Sequence, residues 1–364
     1  MKVVHFGKFY PPRRGGMESF LAGLCQGLVK RGVECEEIVA RDRDDPSDHD
    51  HDGVVVRRLR SLGTLRSVSI CPAALGALRG TQADIIHLHH PNPLAEISYL
   101  FSQPRGRLIV TYHSDIVSQP WLSKLYAPLL SSILERAEVI VATSPQYVSS
   151  SAFLRRYRRK VRIIPLGCNI RDYGTVDWPP DQRRSNPQYF FLGRLVPYKG
   201  ISVLLEALRY LPGSLWIGGT GPLEGKLKKQ VAQFNLGGRV EFLGNISEEE
   251  KFQRLAGSDV FVLPSLTRAE AFGIVLLEAM AVGRPVVVSD LPTGVRMLVK
   301  DGVNGFRFPP GDARALAAAI RRIIDDPRAA GRMGEAGRRL VEEQYTTAQM
   351  VNHYFRLYQE LCHP

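Results

Sequence analysis

Short apolar segments alternate along the chain with longer segments whose apolar residues recur at helical spacing. Segments of the first kind are typical of buried parallel strands, and segments of the second kind are typical of the helices that cover them. The alternation therefore predicts an α/β protein with parallel sheets. We predict helices at 17–31 and 122–137, strands at 3–6, 54–59, 84–88, 108–112, 139–142 and 161–164, and a second series of strands that begins at Tyr189 and continues near Leu215, Val240, Val260 and Val286.

A break in this pattern separates the two series. Residues 171–188 are rich in Pro, Arg, Asp and Asn, and we interpret them as a linker. Two domains, 1–170 and 171–346, are therefore predicted, which suits a chain of 364 residues. A final helix is predicted within 347–364, where Met350, Tyr354, Leu357, Tyr358 and Leu361 recur at helical spacing.

Two carboxylates, Glu270 and Glu278, stand eight positions apart with an apolar run between them. The pattern predicts a helix over 271–282, ended by Gly283 and Pro285. Glu270 is then expected at the helix entrance and Glu278 near its middle. Eight helical residues rise about 12 Å, so one carboxylate would hold sugar hydroxyls and the other the ribose diol of an extended nucleotide-sugar. The alternative is a capped helix with one satisfied glutamate.

Two cations, Arg194 and Lys199, lie in a glycine-bounded turn between a predicted strand and a helix that begins near Ile201. Helix N-termini favour anions because their N–H groups are unpaired and the macrodipole points outward. Arginine binds two oxygens at once, and lysine acts as a point charge. The turn therefore predicts a diphosphate site, against the alternative of two solvated cations. A further glycine turn, 218–222, lets the backbone approach a ligand.

The first predicted strand leads to Gly15 and Gly16 at the entrance of the first helix. Adjacent glycines there allow N–H groups to close on a phosphate or a sugar, although the G-x-G-x-x-G fingerprint is absent. His113 follows the strand 108–112, at the end where ligands of parallel sheets bind. Asp115 is a weaker candidate. The alternative for Gly15 and Gly16 is a flexible loop, and the alternative for His113 is a structural histidine.

Two other polar segments invite a metal interpretation. His87 and His89 share one face of a strand by the two-residue period, but we find no carboxylate or cysteine partner at useful spacing. Acceptor contact or packing is therefore favoured there. Residues 42–52 contain D-x-D triplets but no flanking strand pattern, and we predict a solvated loop.

The pair Glu270 and Glu278 is similar to the E-x7-E signature of the retaining glycosyltransferases of family 4, which have the GT-B fold. The resemblance covers nearly the whole chain. It implies an α/β GT-B architecture of two Rossmann-like, doubly wound parallel-sheet domains facing across a cleft. The first domain, with a crossover helix at 347–364, would bind the acceptor, and the second would bind the nucleotide-sugar. Other segments in that family's order and spacing are 193–200, 218–222, 240–244, 283–289 and 301–305.

The resemblance implies roles for these residues. Two cations would neutralise the leaving diphosphate, so no metal cofactor is required and none is predicted as a bound ligand. The sugar would be transferred with retention at C1, with same-face attack by the acceptor as the expected route. Variants Lys199→Ala and Arg194→Ala are expected to lower kcat far more than stability. The implied catalytic residues are His113, Glu270, Arg194 and Lys199, and the implied donor-binding residues are Gly15, Gly16, Gly219, Gly221, Gly244, Ile246, Phe272, Gly273, Ile274 and Glu278.

A narrower resemblance concerns the substrate. Segments 110–117, 124–129, 141–145 and 163–167 look like those of bacterial O-antigen and exopolysaccharide transferases, several of which use GDP-mannose or GDP-rhamnose. This implies a mannosyl or rhamnosyl transferase acting on a polyprenyl-diphosphate-linked saccharide acceptor, with a UDP-sugar as the alternative donor. Residues 293–296 depart from the family pattern, where a second glycine and a glutamate are more usual.

The net charge of the chain bears on the class of acceptor and on where in the cell the protein is expected. The net charge is +12, and residues 1–170 hold 23 Lys and Arg against 15 Asp and Glu. The densest cluster, 153–162, is interpreted as a basic helix with one apolar side, which suits an anionic membrane surface. A solvated surface is the alternative.

No apolar stretch has the length of a membrane span. Five cysteines without C-x-x-C spacing indicate reduced thiols. We therefore expect a cytoplasmic protein, peripheral on the inner face of the bacterial plasma membrane.

Two other classes of function stay open. The basic charge is shared with nucleic-acid binders, but no RNA-binding aromatic motif or zinc-finger spacing is present, so no nucleic-acid partner is expected. A GT-B epimerase would convert a nucleotide-sugar without an acceptor. Release of nucleotide that depends on an acceptor distinguishes transfer from epimerisation.

Overall fold

The structure, a computed structural model, describes residues 1–12, 15–41, 49–65, 68–69, 71–115, 120–169 and 186–362. The chain forms two units. Unit 1 comprises Met1–Gly167 together with Thr347–Pro364, and unit 2 comprises Cys168–Thr346. Most of the predicted linker lies outside the described residues, and its last residue, Gln188, already belongs to a strand.

In the described part of the chain, unit 1 contains one eight-stranded sheet, with the order β10-β9-β8-β7-β1-β2-β4-β3. All neighbouring strands are parallel except β3, which runs antiparallel to β4. Two short strands, β5 and β6, pair separately. The strands are β1 Lys2–Phe6, β2 Glu34–Arg41, β3 His49–His51, β4 Val54–Arg60, β5 Thr64–Leu65, β6 Val68–Ser69, β7 Gln82–His90, β8 Arg105–Tyr112, β9 Val139–Ala142 and β10 Val161–Ile163.

Helices of unit 1 connect these strands. Several begin at a side-chain cap: Asn92 accepts from the N–H of Ala95, and Ser144 accepts from that of Tyr147. The α-helices are α1 Gly16–Val29, α2 Pro93–Ser102, α3 Pro120–Arg136, α4 Pro145–Ser150 and α5 Ala152–Arg156, and the 3₁₀ helices are Pro72–Gly76 and Arg158–Lys160.

Strand β2 is the main element of unit 1 that the sequence pattern does not predict. Glu34, Glu36 and Glu37 interrupt its apolar residues, so it does not resemble a buried strand. In the structure Glu37 is fully buried, and its Oε1 accepts the backbone N–H of Gly7 at 2.7 Å. A buried carboxyl is tolerated where it is hydrogen-bonded, and this one ties β2 to the turn after β1.

Unit 2 contains a six-stranded parallel sheet with the order β13-β12-β11-β14-β15-β16. Tyr189, Phe190 and Phe191 of β11 are fully buried, as expected for a central strand covered on both faces. Its elements are β11 Gln188–Leu192, the 3₁₀ helix Pro197–Lys199, α6 Ile201–Leu208, β12 Ser214–Gly218, α7 Glu224–Gln233, β13 Val240–Gly244, α8 Glu248–Gly257, β14 Val260–Leu263, α9 Ile274–Ala281, β15 Val286–Ser289, α10 Gly294–Leu298, β16 Gly305–Phe308, α11 Ala313–Ile324 and α12 Pro327–Gln344.

The last helix, α13 Thr347–Cys362, belongs to unit 1 although it follows unit 2 in the chain. Helix α1 approaches it so closely that a Cβ at Gly27 would lie 2.5 Å from Cγ2 of Val351. Tyr354 and Tyr358 are fully buried and hydrogen-bond to side chains of the first sheet. Helix α13 is therefore part of the core of unit 1.

Among the helices that the described ranges contain, none combines the length and the apolar character needed to cross a membrane.

Candidate functional site

The second sheet changes direction between β11 and β14. From β11 the chain proceeds outward through β12 and β13, and it then returns to β14 on the other side of β11. Open parallel sheets bind ligands beyond the carboxyl ends of their strands at such a switch point. The turns that follow β11, β12, β13 and β14 contain nearly all the predicted residues of unit 2.

An ion pair joins the two sides of this switch point. Nζ of Lys199, in the turn after β11, lies 2.6 Å from Oε2 of Glu270, in the loop after β14. The side chains are only 12% and 8% exposed. Burial is the largest single influence on the pKa of Lys199 and lowers it, but the charge and hydrogen bond of Glu270, together with Tyr198, outweigh burial and raise that pKa. The lysine is therefore cationic at neutral pH.

Ser265 completes the immediate surroundings of Glu270. Its Oγ donates to the same oxygen, Oε2, at 2.9 Å. Both hydrogen bonds of the carboxylate within the described residues fall on Oε2. Oε1 is thus the oxygen with capacity to accept from a ligand.

Glycine at position 200 makes the ion pair sterically feasible. Gly200 has a φ of 68°, and a Cβ there would lie 1.9 Å from the carbonyl oxygen of Pro264. Only glycine lets the turn after β11 approach the end of β14 this closely. A backbone hydrogen bond of 2.7 Å from Leu266 to Tyr198 joins the same two segments.

Arg194 differs from Lys199 in its surroundings. Its side chain is exposed and forms no ion pair within the described part of unit 2. Its neighbour Leu195 donates to the carbonyl of Thr220, so the turn after β11 is attached to the turn after β12. The turn after β11 therefore contains a largely buried cation held by a carboxylate, Lys199, and an exposed cation five residues before it.

Close backbone contacts also explain the predicted glycines. A Cβ at Gly219 would lie 2.1 Å from the carbonyl oxygen of Gly193, and one at Gly221 would lie 2.5 Å from that of Leu195. The N–H of Gly219 donates to Gly244 at 2.7 Å, and Gly244 has a φ of 64°. Ile246, half-buried, follows in the same loop. These turns form a continuous backbone surface beside Lys199.

The predicted helix over 271–282 begins too early. Helix α9 starts at Ile274, because Gly273 adopts the left-handed conformation with a φ of 81°. Phe272 is buried immediately before this turn. Glu270 thus lies in a loop, and the helical rise of about 12 Å expected between it and Glu278 is wrong. The entrance of α9 still presents unpaired N–H groups.

Glu278 has a cationic partner that the sequence did not reveal. Nζ of Lys251, on α8, lies 2.6 Å from Oε1 of Glu278 and 2.7 Å from Oε2 of Glu248. Burial acts most strongly on the pKa of Lys251 and lowers it, but the two carboxylates prevail and raise it. In the sequence Lys251 follows three glutamates and resembles a surface residue paired along its helix, which is why it was missed.

In unit 1 the sheet changes direction between β1 and β7. Gly15 and Gly16 are exposed at the entrance of α1, and His113 follows β8, where its N–H donates to the carbonyl of His90. Burial lowers the pKa of His113 to about 3, so the imidazole is neutral at physiological pH. A small pocket in this unit is lined by residues that include Gly7, Met17, Glu18, Phe20, His89 and His113.

The histidines of β7 have more partners than the sequence suggested. His5, on β1, lies beside both His87 and His89, and its potential ligand atoms are within 4.8 Å of those of Cys25 and Glu37. Among the described residues, Cys25 and Glu37 group with His5 and not with His87 and His89, whose added partner is His5 itself. Both ring nitrogens of His87 are engaged, by Tyr358 at 2.6 Å and by Thr111 at 2.7 Å.

Asp115 and the D-x-D segment 42–52 were the other candidates from the sequence. The carboxylate of Asp115 accepts from Tyr112 at 2.7 Å and from Ser151 at 2.8 Å. Within the D-x-D segment, residues 42–48 lie outside the described residues. The remainder includes β3, so the whole of 42–52 is not a loop.

The basic cluster 153–162 is not one helix. Helix α5 ends at Arg156, and the chain continues as a 3₁₀ helix and then as β10. Leu154, expected on the membrane-facing side, is fully buried. Nζ of Lys160 donates to the carbonyls of Glu135 and Ala137 at the end of α3, a favourable position for a cation. The exposed cations of the cluster are Arg155, Arg156, Arg158, Arg159 and Arg162.

Two family models match this chain. The glycosyl transferase 4-like domain matches residues 15–167, and the model of glycosyl transferases group 1 matches residues 177–340. The chain belongs to this family of glycosyltransferases, as the E-x7-E spacing and the accompanying motifs predict.

Two relatives extend over most of the chain. It is 33% identical over 374 residues to O-antigen chain mannosyltransferase C of Escherichia coli, with 99% of each chain covered. It is 34% identical over 344 residues to D-rhamnosyltransferase WbpZ of Pseudomonas aeruginosa, covering 92% of this chain and 89% of that one.

Solved structures agree in fold. Sucrose-phosphate synthase from Thermosynechococcus elongatus superposes with a TM-score of 0.83 at 26% identity, covering 99% of this chain and 98% of that one. Anabaena HepE in complex with UDP-glucose gives 0.77 at 19% identity, covering 99% and 100%, which shows the fold alone. The predicted GT-B fold class, with two parallel-sheet α/β units, is confirmed.

Proposed function

We propose that this glycosyltransferase moves a hexosyl group from a nucleotide-sugar onto a lipid-linked glycan during synthesis of a bacterial surface polysaccharide. The best candidate is a mannosyl group from GDP-mannose, followed by a rhamnosyl group. Support for the substrate class comes from relatives named O-antigen chain mannosyltransferase, D-rhamnosyltransferase and lipopolysaccharide core biosynthesis glycosyltransferase. The observation that carries the proposal is the buried pair Lys199–Glu270 at the switch point of the second sheet.

The donor diphosphate would lie against Arg194 and Lys199. Cleavage of the bond between C1 and the phosphate oxygen leaves negative charge on the diphosphate and positive character on the sugar ring. Fixed cations stabilise that charge without reorganisation at the moment of reaction. The entrance of α9, at Phe272, Gly273 and Ile274, would add N–H donors.

The two carboxylates would hold the two ends of the donor. Oε1 of Glu270 is the oxygen available to accept from sugar hydroxyls, while Oε2 stays with Lys199 and Ser265. Glu278 would accept from the ribose hydroxyls, and its Oε1 is held by Nζ of Lys251 at 2.6 Å. The base would lie along Gly244 and Ile246, and the diphosphate along Gly219 and Gly221.

In unit 1, Gly15 and Gly16 would contact the donor from the entrance of α1, and His113 would contact the sugar. Since burial lowers the pKa of His113 to about 3, it would act as a neutral hydrogen-bonding group rather than as a cation. Transfer would proceed with retention at C1, by attack of the acceptor on the face from which the diphosphate leaves. The charge stabilisation comes from side chains, so no metal is assigned to this step.

Thermal-shift measurements test the donor. GDP-mannose at 100 times its Kd is expected to add about 2.7 kcal/mol to stability, and UDP-glucose less. Arg194→Gln should reduce the shift without lowering the melting temperature of the free protein, because Arg194 is exposed and forms no ion pair in the described part of unit 2. The matched control is Arg332→Gln, another exposed arginine of unit 2.

The possible results differ in what they contradict. A larger shift with UDP-glucose would transfer the assignment to a UDP-sugar donor. An absence of any shift with either nucleotide-sugar, or equal shifts in Arg194→Gln and wild type, would contradict the diphosphate site itself.

A membrane surface is proposed as the location of the acceptor. With Leu154 in the core, contact would rest on the exposed arginines and would be electrostatic, at about 1 kcal/mol per cation near an anionic surface. The protein is therefore expected to float with anionic vesicles and to be released by salt. Location on the inner face of a bacterial plasma membrane follows from the proposed lipid-linked acceptor.

Vesicle flotation measures this contact. Neutralising Arg155, Arg156, Arg158 and Arg159 to glutamine should abolish flotation. A control with the same change in net charge neutralises four exposed cations of unit 2, and it should keep flotation. Equal flotation of the two variants would refute contact through this cluster. The control positions are Lys226, Lys229, Arg332 and Arg339.

A further inference from the structure

Four side chains with metal-binding atoms meet in the core of unit 1, and we call them the core cluster: His5, Cys25, Cys35 and Glu37. His5 of β1 lies opposite Glu37 in the parallel register of β2. Cys35 precedes Glu37 by two positions, so its side chain is on the same face of the sheet. Cys25 reaches Glu37 from α1. All four are at most 1% exposed, so an imidazole, a carboxyl and two thiols share one buried place.

The spacing of three of these groups is close to that of metal ligands. One potential ligand atom from each of His5, Cys25 and Glu37 lies within 4.8 Å of the other two. Sγ of Cys25 is 3.8 Å from Oε2 of Glu37. Zinc bonds of about 2.0–2.3 Å in a tetrahedron place the ligand atoms roughly 3.3–3.8 Å apart. The thiol and the carboxyl already have that separation, and the imidazole requires a shift of only about 1 Å.

The outward-facing atoms of two of these groups are already engaged. Oε1 of Glu37 accepts the N–H of Gly7 at 2.7 Å, and the other oxygen, Oε2, faces Cys25. Nδ1 of His5 lies 3.2 Å from Nε2 of His89. A metal-bound imidazole almost always hydrogen-bonds through its second nitrogen, and metal-bound carboxylates are held in the same way. Gly7 and His89 therefore have the positions of outer partners that orient two ligands.

The other nitrogen of His5 is turned toward further donor atoms. Nε2 is buried and makes no hydrogen bond of ordinary geometry within the described residues. The side chain of Cys35 is nevertheless close, because Cys25 and His5 both lower the pKa of its thiol. Cys35 is thus in place to supply a fourth donor atom beside the three whose spacing is described above.

We propose that the core cluster binds a structural zinc ion, with one nitrogen, two sulfurs and one carboxylate oxygen as ligands. Thiolate and imidazole ligands suit zinc, whereas magnesium, calcium and manganese prefer oxygen ligands. Four protein ligands make a closed site, so the ion has a structural role and does not enter the transfer of sugar. On binding, the ligands that still carry protons release them to solvent. The inference does not depend on the proposed function.

The ion would fasten three elements of unit 1 to one another. Strands β1 and β2 and helix α1 each supply at least one ligand, and Gly7, in the turn after β1, supports the carboxylate. Because the ligands come from separate elements and no C-x-x-C spacing is present, the sequence alone does not reveal the site. Since the cluster is buried, the ion is expected to bind as unit 1 folds.

A second group of potential ligands in this unit is less suitable. Atoms of His5, His87 and His89 also lie within 4.8 Å of one another. Both nitrogens of His87 are engaged, however, by Tyr358 and Thr111. Coordination by His87 would break one of those hydrogen bonds, whereas the core cluster leaves both intact.

Metal analysis of the purified full chain measures occupancy. Wild type produced with zinc in the medium, freed of any affinity tag and dialysed, is expected to hold about one zinc per molecule, and Cys25→Ala almost none. The matched control Cys71→Ala removes another buried cysteine of unit 1, whose Sγ faces the carbonyl of Arg60 at 3.2 Å, and should keep its zinc. Wild type without zinc, or equal zinc in all three proteins, overturns the proposal.

Cobalt identifies the ligands, because four-coordinate Co²⁺ absorbs visible light and thiolate ligation adds a charge-transfer band in the near ultraviolet. Wild type refolded with Co²⁺ alone should show both features. Cys35→Ala should reduce the thiolate band to about half, since one of two sulfur ligands is lost. Glu37→Gln should keep that band and lower cobalt affinity at least about tenfold. A bound cobalt ion without a thiolate band overturns the proposal.

Refolding of the wild type provides a measurement that no variant can confound by failing to fold. Protein refolded with zinc at a thousandfold excess over Kd should melt about 5–15 °C higher than protein refolded with a chelator. Equal melting temperatures with zinc and with the chelator overturn the proposal. Neither result bears on the choice of nucleotide-sugar, so the two proposals fail independently.

Discussion

Replacing Lys199 by methionine is expected to lower kcat by about 100- to 1000-fold, the typical effect of removing one preorganised electrostatic contact in a transition state. Lys199 is held at the switch point by Glu270, and its charge is maintained because that carboxylate, together with Tyr198, outweighs burial. Methionine keeps much of the side-chain volume but supplies no charge for the leaving diphosphate. Steady-state kinetics with saturating donor measure the change.

The same replacement is also expected to destabilise unit 2, which revises the expectation from sequence. Because both side chains are largely buried, loss of one partner leaves an uncompensated carboxylate, at a cost of about 3–5 kcal/mol. The double variant Lys199→Met/Glu270→Gln removes both charges and should recover most of that stability. It should not recover turnover. Near-wild-type kcat in either folded variant would contradict the assignment of Lys199 to the diphosphate.

Acidification from pH 7 to pH 5 is expected to destabilise unit 1 by at least about 3 kcal/mol. Burial lowers the pKa of His87, His89 and His113 in the folded state. Below about pH 6.5 these residues gain protons on unfolding, so stability falls as pH decreases, by about 2 kcal/mol for each imidazole. Glu37 opposes this trend. Burial raises its pKa, so the folded state keeps a proton that the unfolded chain has lost. On acidification this offsets about 2–3 kcal/mol of the loss in stability.

Cys35, like the buried histidines, makes the folded state less stable as the pH falls. A hydrogen bond from Cys25 is the largest influence that lowers its pKa, to about 6. A thiol with a depressed pKa stabilises the folded state at higher pH, and this contribution is lost as pH falls through about 6. It adds to the loss from the imidazoles.

Unit 2 provides an internal control for this experiment. All nine histidines of the chain lie in the segments that form unit 1. Hydrogen exchange followed by mass spectrometry at pH 7 and pH 5, corrected for intrinsic rates, should therefore show lost protection in β7 and β8 before β11 and β14. A simultaneous and equal loss in both units would contradict the assignment of acid sensitivity to buried imidazoles.

The pattern of apolar residues predicts the sheets well where strands are buried on both faces. Strand β9 has the predicted bounds, 139–142, because four consecutive apolar residues follow a helix that ends at a charged residue. Strand β2 was missed because the sequence does not show that the N–H of Gly7 stabilises a buried carboxyl at Glu37. A carboxylate in a strand has no local signature that distinguishes burial from exposure.

In the candidate site, too, residues with a local pattern were predicted and contacts between distant segments were not. Arg194, Lys199, Glu270 and Glu278 were proposed from spacing and from family resemblance, but the pairing of Lys199 with Glu270 and that of Glu278 with Lys251 were not. The start of α9 depends on the left-handed conformation of Gly273, which competes with an apolar pattern that favours an earlier start. Lys251 pairs with Glu278 across two helices, and no local spacing encodes that contact.

The position of α13 has a consequence for how the protein is made. Tyr354 and Tyr358 cover His87 and Thr111, yet they leave the ribosome only after the whole of Cys168–Thr346. At about 5–20 residues per second, the segment translated first waits roughly 10–40 s for its final helix. The half of the enzyme that is synthesised first is therefore the half that matures last.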